Sequence, residues 1–179
     1  MTEKNGIFDL ILRYLILIAV AIPNLWLFYT IFTPVTVYPV SWILGIFYNT
    51  LIASGHIIIL NNIFPIELIP SCIAGSAYYL LLILNLSTRE IAIGKRIKIL
   101  LLAFGIFLVL NILRIILLSS MAFSGSSFFD ITHILFWYAI STIFVVAIWF
   151  AEVKAFKIKK IPFYHDIIFL YKKTKSRKK

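Results

Sequence analysis

The chain has 179 residues, 62% of them hydrophobic and 13% charged, with a mean hydropathy of +1.02 and a formal net charge of +10 at pH 7. A composition this apolar excludes a water-soluble domain, because a core of this size cannot hide so much apolar side chain. It predicts an integral membrane protein, whose first span can direct insertion without a separate signal peptide.

A first span is expected from about Leu12 to Phe32, kinked at Pro23, and a second, shorter one from about Val40 to Ala53, beginning after the helix-breaking Pro34 and Pro39. Gly55 to Pro70 breaks the pattern with two β-branched runs around Asn61-Asn62, which predicts a short β-hairpin. Further spans are expected from about Cys72 to Leu86, Ile99 to Met121 and Ile131 to Phe150. The expected fold is therefore all-α, a bundle of about five transmembrane helices with an extracytoplasmic hairpin before the third. Two regions are expected: a membrane-embedded unit over 1–153, and a basic cytoplasmic tail over 154–179 whose segment Ile161 to Tyr171 suits an interfacial helix.

The cations set the orientation. Arg89, Lys95, Arg96 and Lys98 crowd the loop before the fourth span, and lysines dominate after Glu152, so both regions should face the cytoplasm. Parity then puts the N-terminus outside, with the protein a multi-pass component of the cell membrane. These cations flank spans and have no stacking platform beside them, so nucleic-acid binding is excluded.

Three residues that carry chemistry approach the same outer face in this topology. Cys72, the only cysteine, opens one span and His133 another, while Arg114 lies about two turns from the outer end of its helix, roughly 10 Å deep at 1.5 Å per residue. A lone thiol is either a small packing residue or a nucleophile, and a helix N-terminus with a nearby cation favours the reactive thiolate. Ser71 is expected to cap the helix of Cys72, and Pro70 to fix the chain's path into it. A charge inside a span costs about 3 kcal/mol or more and is normally kept for a partner or a function, which makes Arg114 the sharpest signal. Asn111, three residues earlier on the same face, can orient the guanidinium or bond to another helix. Asp130 fits an N-cap for the helix of His133 and can also support the imidazole. His56 and His165 read as interfacial. No Cys-x-x-Cys, His-x-x-x-His or carboxylate pair points to a metal, and no Gly-rich loop points to a phosphate cofactor, so neither is expected.

These residues resemble the archaeosortase and exosortase family: a Cys at the outer start of a helix after a strand-rich segment, an Asn-x-x-Arg motif, then a His opening a later helix. They stand here as Pro70-Ser71-Cys72-Ile73-Ala74-Gly75, Asn111-Ile112-Leu113-Arg114 and Asp130-Ile131-Thr132-His133. The resemblance covers about residues 12 to 150. Many members carry Gly two residues after the Cys, where this chain has Ala74 with Gly75 next, which marks a small, divergent branch.

The resemblance implies a cysteine transpeptidase or protease that cleaves C-terminal sorting signals of exported surface proteins through a thioester and transfers the proteins to a lipid anchor. Cys72 would be the nucleophile, His133 the general acid and base, and Arg114 the stabiliser of oxyanion or thiolate. The implied partners are substrate proteins ending in a short motif, a transmembrane helix and a basic cluster, with a membrane lipid as acceptor. The competing reading is a non-catalytic small transporter or membrane assembly scaffold, in which Arg114 and Asn111 bind an anion or pack helices and Cys72 is incidental.

Overall fold

A computed structural model describes residues 3–89, 91–158 and 160–176. In chain order these form α1 (Glu3–Ala21), α2 (Trp26–Leu44), the strands β1 (Thr50–Ala53), β2 (Ile57–Leu60) and β3 (Phe64–Glu67), and α3 (Pro70–Ile73). There follow α4 (Gly75–Leu86), α5 (Ile93–Phe123), α6 (Phe129–Leu135), a π-helical turn (Phe136–Ile140), α7 (Ser141–Ala155) and α8 (Tyr164–Ser176).

Among the described residues three helices are long and apolar enough to cross a membrane: α2, α5 and the continuous helix Phe129–Ala155. Their outward faces carry exposed Trp42, Leu101, Leu113, Ile143 and Phe150, side chains that suit hydrocarbon better than water. The chain is thus compatible with a membrane protein.

Local chemistry explains where the helices depart from the expected spans. The expected first span is two helices: Pro23 cannot donate to the ladder, and Asn24 and Leu25 turn left-handed behind it (φ 49° and 59°), so α1 ends and α2 starts afresh at Trp26. Pro34 and Pro39, expected to break the chain, instead lie inside α2, where packing against neighbouring helices tolerates them. The expected second span, Val40 to Ala53, is the end of α2 followed by strand β1. There the Thr50 hydroxyl donates to the Ser41 carbonyl (3.3 Å), and the Asn49 N–H donates to Asn61 Oδ1 (2.9 Å). The expected third span, Cys72 to Leu86, breaks at Ala74 (φ 60°), leaving α4 with 12 residues. That is about 18 Å of helix, short of a hydrocarbon core of about 30 Å.

The strands form an antiparallel meander in the order β1-β2-β3, with Ile59 opposite Leu51 on one side and Pro65 on the other. Asn61 and Asn62 turn the chain between β2 and β3 in left-handed conformations (φ 50° and 61°), which asparagine tolerates well. The expected two-stranded hairpin therefore has a third strand, drawn from residues read as helix.

Buried Val37, Val40 and Leu44 of α2 meet Ile58 and Leu60 of β2, Ile73 of α3 and Ile112 and Ile115 of α5, which docks the sheet on the bundle. A second core joins Phe28 of α2, Tyr78 and Leu81 of α4, Ala103 and Phe107 of α5, and Val145 and Ile148 of α7. Tyr78 stacks on Phe32 with centroids 3.6 Å apart and meets Phe107 edge-on at 4.9 Å, so aromatic packing fixes α4 between α2 and α5.

The end of the bundle away from the sheet is held by charge. Arg13 of α1 and Asp166 of α8, 3% and 2% exposed, pair at 3.0 Å, and Arg13 also donates to the Leu86 carbonyl at 2.7 Å. Arg96 donates to the carbonyls of Asn85, Leu86 and Thr88, and the Arg89 guanidinium lies 3.4 Å from the centre of the Phe169 ring. The C-terminal helix is thereby clasped to α1 and α4. Asp166→Ala should cost about 3–5 kcal/mol, the penalty for stranding a buried arginine. A lowered melting temperature in detergent and faster proteolysis of α8 are the expected readouts, and Arg13→Ala in the same chain should recover part of the loss.

Candidate functional site

The site grows from the break between α3 and α4. Pro70 sits at the first position of α3, as expected of a residue without an N–H, but Ile69 is the N-cap and no side chain caps the helix. Ser71 therefore does not cap. It lies inside α3, exposed, and offers its backbone carbonyl instead.

Ala74 ends α3 in a left-handed turn that costs a non-glycine residue about 1–2 kcal/mol. Gly75, next in the chain, is closely packed. A Cβ on Gly75 would lie 2.7 Å from the Tyr29 ring, so a larger residue there would require that ring to shift. The break leaves carbonyls of α3 facing α5, and two side chains of that helix take them up. Asn111 Nδ2 donates to the Cys72 carbonyl (2.9 Å) and reaches that of Ile73 (3.4 Å), while Arg114 Nη2 donates to the carbonyls of Cys72 (3.1 Å) and Ser71 (3.4 Å). Arg114 Nη1 donates to Ser141 Oγ at 2.7 Å. Asn111 Oδ1 and Arg114 Nε are buried without a hydrogen-bond partner among the described residues.

The Cys72 side chain is half-buried and lines a cleft of about 150 Å³. Arg114 and His133 line the same cleft, with an apolar wall that includes Leu68, Leu118 and Phe136 and with Glu67 at the sheet. Residues from α3, α5 and α6, far apart in sequence, thus meet in one depression beside the sheet. His133 is half-buried, its ring parallel to Phe129 (8°, centroids 5.5 Å apart) and edge-on to Trp137 (5.9 Å). Its nitrogens have no hydrogen-bond partner among the described residues. Asp130 does not cap: α6 starts one residue earlier, at Phe129, and Asp130 sits exposed in the first turn with no bond to His133.

Arg114 also lines a second cavity of about 320 Å³, whose lining mixes the hydroxyl-bearing residues Tyr29, Ser71, Ser76, Ser141 and Thr142 with Leu80 and Val145. Arg114 and Trp137 line both cavities, so they stand between the apolar cleft at the thiol and this more polar one. Ser141, Trp137 and Glu67 are the site residues that the sequence reading missed. A serine within an apolar span was the available signal for Ser141, but its register is set by the π-helical turn, which hydrophobic periodicity does not reveal.

His56 lies in the turn before β2, its Nε2 3.8 Å from Glu67, and His165 bonds to the backbone of Ile161; neither lines the cleft. No group of three or more metal-ligating side chains occurs among the described residues.

Compared with known proteins, the chain matches no family model, no curated protein and no solved structure.

Asn111→Leu removes the donor to two carbonyls in an apolar interior. A loss of about 1 kcal/mol is expected. Thermal unfolding in detergent, set beside the alkylation rate of Cys72, should show lower stability together with a more accessible thiol as the α3 turn loosens.

Proposed function

We propose that the protein is a membrane-embedded cysteine transpeptidase or protease that cleaves C-terminal sorting signals of exported proteins and passes the acyl group to an acceptor, a lipid where an anchor is made and water where it is not. The observation that carries this reading is the single cleft shared by Cys72, Arg114 and His133, which can serve thiol acyl transfer as nucleophile, charge stabiliser and acid–base. The likeness to archaeosortases and exosortases in their order and spacing supports it.

In this reading burial, which pushes the Cys72 thiol up despite the nearby Arg114 charge, keeps it protonated at rest, and His133 takes that proton as the sulfur attacks the scissile carbonyl. The developing oxyanion is stabilised by the fixed positive charge of Arg114 at the thiol-bearing turn. As the C–N bond breaks, protonated His133 gives its proton to the leaving amine, and the acyl group remains as a thioester. Neutral His133 then takes a proton from the acceptor, which attacks the thioester and releases the thiolate. An imidazole with neither nitrogen already committed is suited to both transfers.

The bundle's polarity supports an extracytoplasmic site. The cleft lies beside the sheet at the C-terminal end of α5, whereas Arg89, Lys95 and Arg96 lie at the opposite end, which the positive-inside rule assigns to the cytoplasm. A membrane-impermeant thiol reagent should therefore label Cys72 in intact cells.

A second reading has its own support: both Asn111 and Arg114 donate to backbone carbonyls, as residues that only hold helices together would do. A co-expressed exported protein with a C-terminal helix and basic cluster separates the two. Cys72→Ala and His133→Ala should abolish its processing, and Arg114→Lys should lower it about a hundredfold, because lysine keeps the charge and loses the fork. All three should leave membrane abundance near normal. Activity that falls only in step with abundance, or a Cys72→Ala chain that still processes, would establish the scaffold instead.

A further inference from the structure

The helix that carries His133 is not a plain α-helix: Phe136–Ile140 forms a π-helical turn, with the Ser141 N–H bonded to the Phe136 carbonyl five residues back. Such a turn accommodates one extra residue, and everything after it rotates by about 100° relative to an unbroken helix.

That rotation has a definite effect here. Ser141 follows His133 by eight residues. In an uninterrupted α-helix a separation of eight leaves two side chains about 80° apart, whereas one residue absorbed in the bulge makes it an effective seven, about 20° from eclipsed. His133 and Ser141 thus come to one face, toward α5, and both reach the surroundings of Arg114. His133 lines the thiol cleft with it, and Ser141 Oγ accepts from its Nη1 at 2.7 Å. The Ser141 hydroxyl is itself oriented, donating to the Phe136 carbonyl at 2.8 Å. A chain of two bonds therefore runs from the π-turn through Ser141 to the guanidinium, which in turn holds the Cys72 carbonyl at 3.1 Å.

We propose that the π-helical turn and Ser141 are the positioning device of this site: the inserted residue brings His133 and Ser141 into common register, and Ser141 fixes the guanidinium plane of Arg114 against the thiol-bearing turn. This rests on the transpeptidase reading. Ser141 is a positioning residue, acting through Arg114 and not on the substrate.

Two pairs of variants test it. Ser141→Ala should lower substrate conversion per molecule by about tenfold at unchanged abundance, and Ser141→Thr, which keeps the hydroxyl, should recover most of the rate. Independently of turnover, a short bismaleimide should join Cys72 to His133→Cys in the otherwise unaltered chain. Deleting Ala139, which straightens the helix, should remove that crosslink, and inserting an alanine after Leu135 in the deletion variant should restore it. Full rate in Ser141→Ala, or a crosslink indifferent to the deletion, overturns the assignment. A Cys72→Ala chain that still processes overturns the transpeptidase reading and with it the role of Ser141, while the crosslink still decides the register, so the two failures are distinguishable.

Discussion

The arrangement turns on the helix break at Ala74. Ending α3 there leaves its last backbone carbonyls without intrahelical partners, and a buried carbonyl left unpaired costs about 1–3 kcal/mol. Asn111 and Arg114 answer that cost from the neighbouring helix. Their three-residue spacing puts both on one face of α5, so a single helix satisfies consecutive carbonyls of α3. The thiol of Cys72 is placed as a by-product: with its carbonyl held from below, its side chain lies against the cleft beside the sheet. Strain at Ala74, the close approach of Gly75 to Tyr29 and the two polar side chains of α5 form one interdependent unit.

Much of this was legible in the sequence and some was not, for reasons that can be named. Arg114 and Asn111 stood out because polar groups in an apolar run need partners, and α5 has no internal Pro or left-handed residue to disturb its register. The same logic made Cys72 and His133 visible as polar punctuation at the ends of apolar runs. The spans went wrong where hydropathy is blind. Val40 to Ala53 is as apolar as a helix, yet it divides at Gly45 into helix and strand because Thr50 to Ala53 has backbone partners in β2. Prolines were misleading in both directions: Pro23 ends a helix because Asn24 and Leu25 follow it into left-handed turns, whereas Pro34 and Pro39 sit within one. The caps assigned to Ser71 and Asp130 failed because each helix starts a residue or two away from where composition placed it.

Both ends of α4 are closed by arginine, and the comparison sharpens what is particular about the site. At its C-terminus, Arg13 and Arg96 donate to the carbonyls of Asn85, Leu86 and Thr88, where cations also meet the negative end of the helix dipole. That arrangement needs no ligand to explain it: Arg13 is neutralised by Asp166, and the assembly fastens α8 to the bundle. Arg114 performs the same carbonyl-satisfying task before the N-terminus of α4, but no acidic side chain forms an ion pair with it among the described residues. A buried guanidinium without a counter-ion is an expensive way to satisfy two carbonyls. Its unneutralised charge faces the depression that holds the thiol and an uncommitted imidazole. Arginine at one end of α4 is thus accounted for by structure alone, and at the other end the surplus charge is what the acyl-transfer chemistry would use.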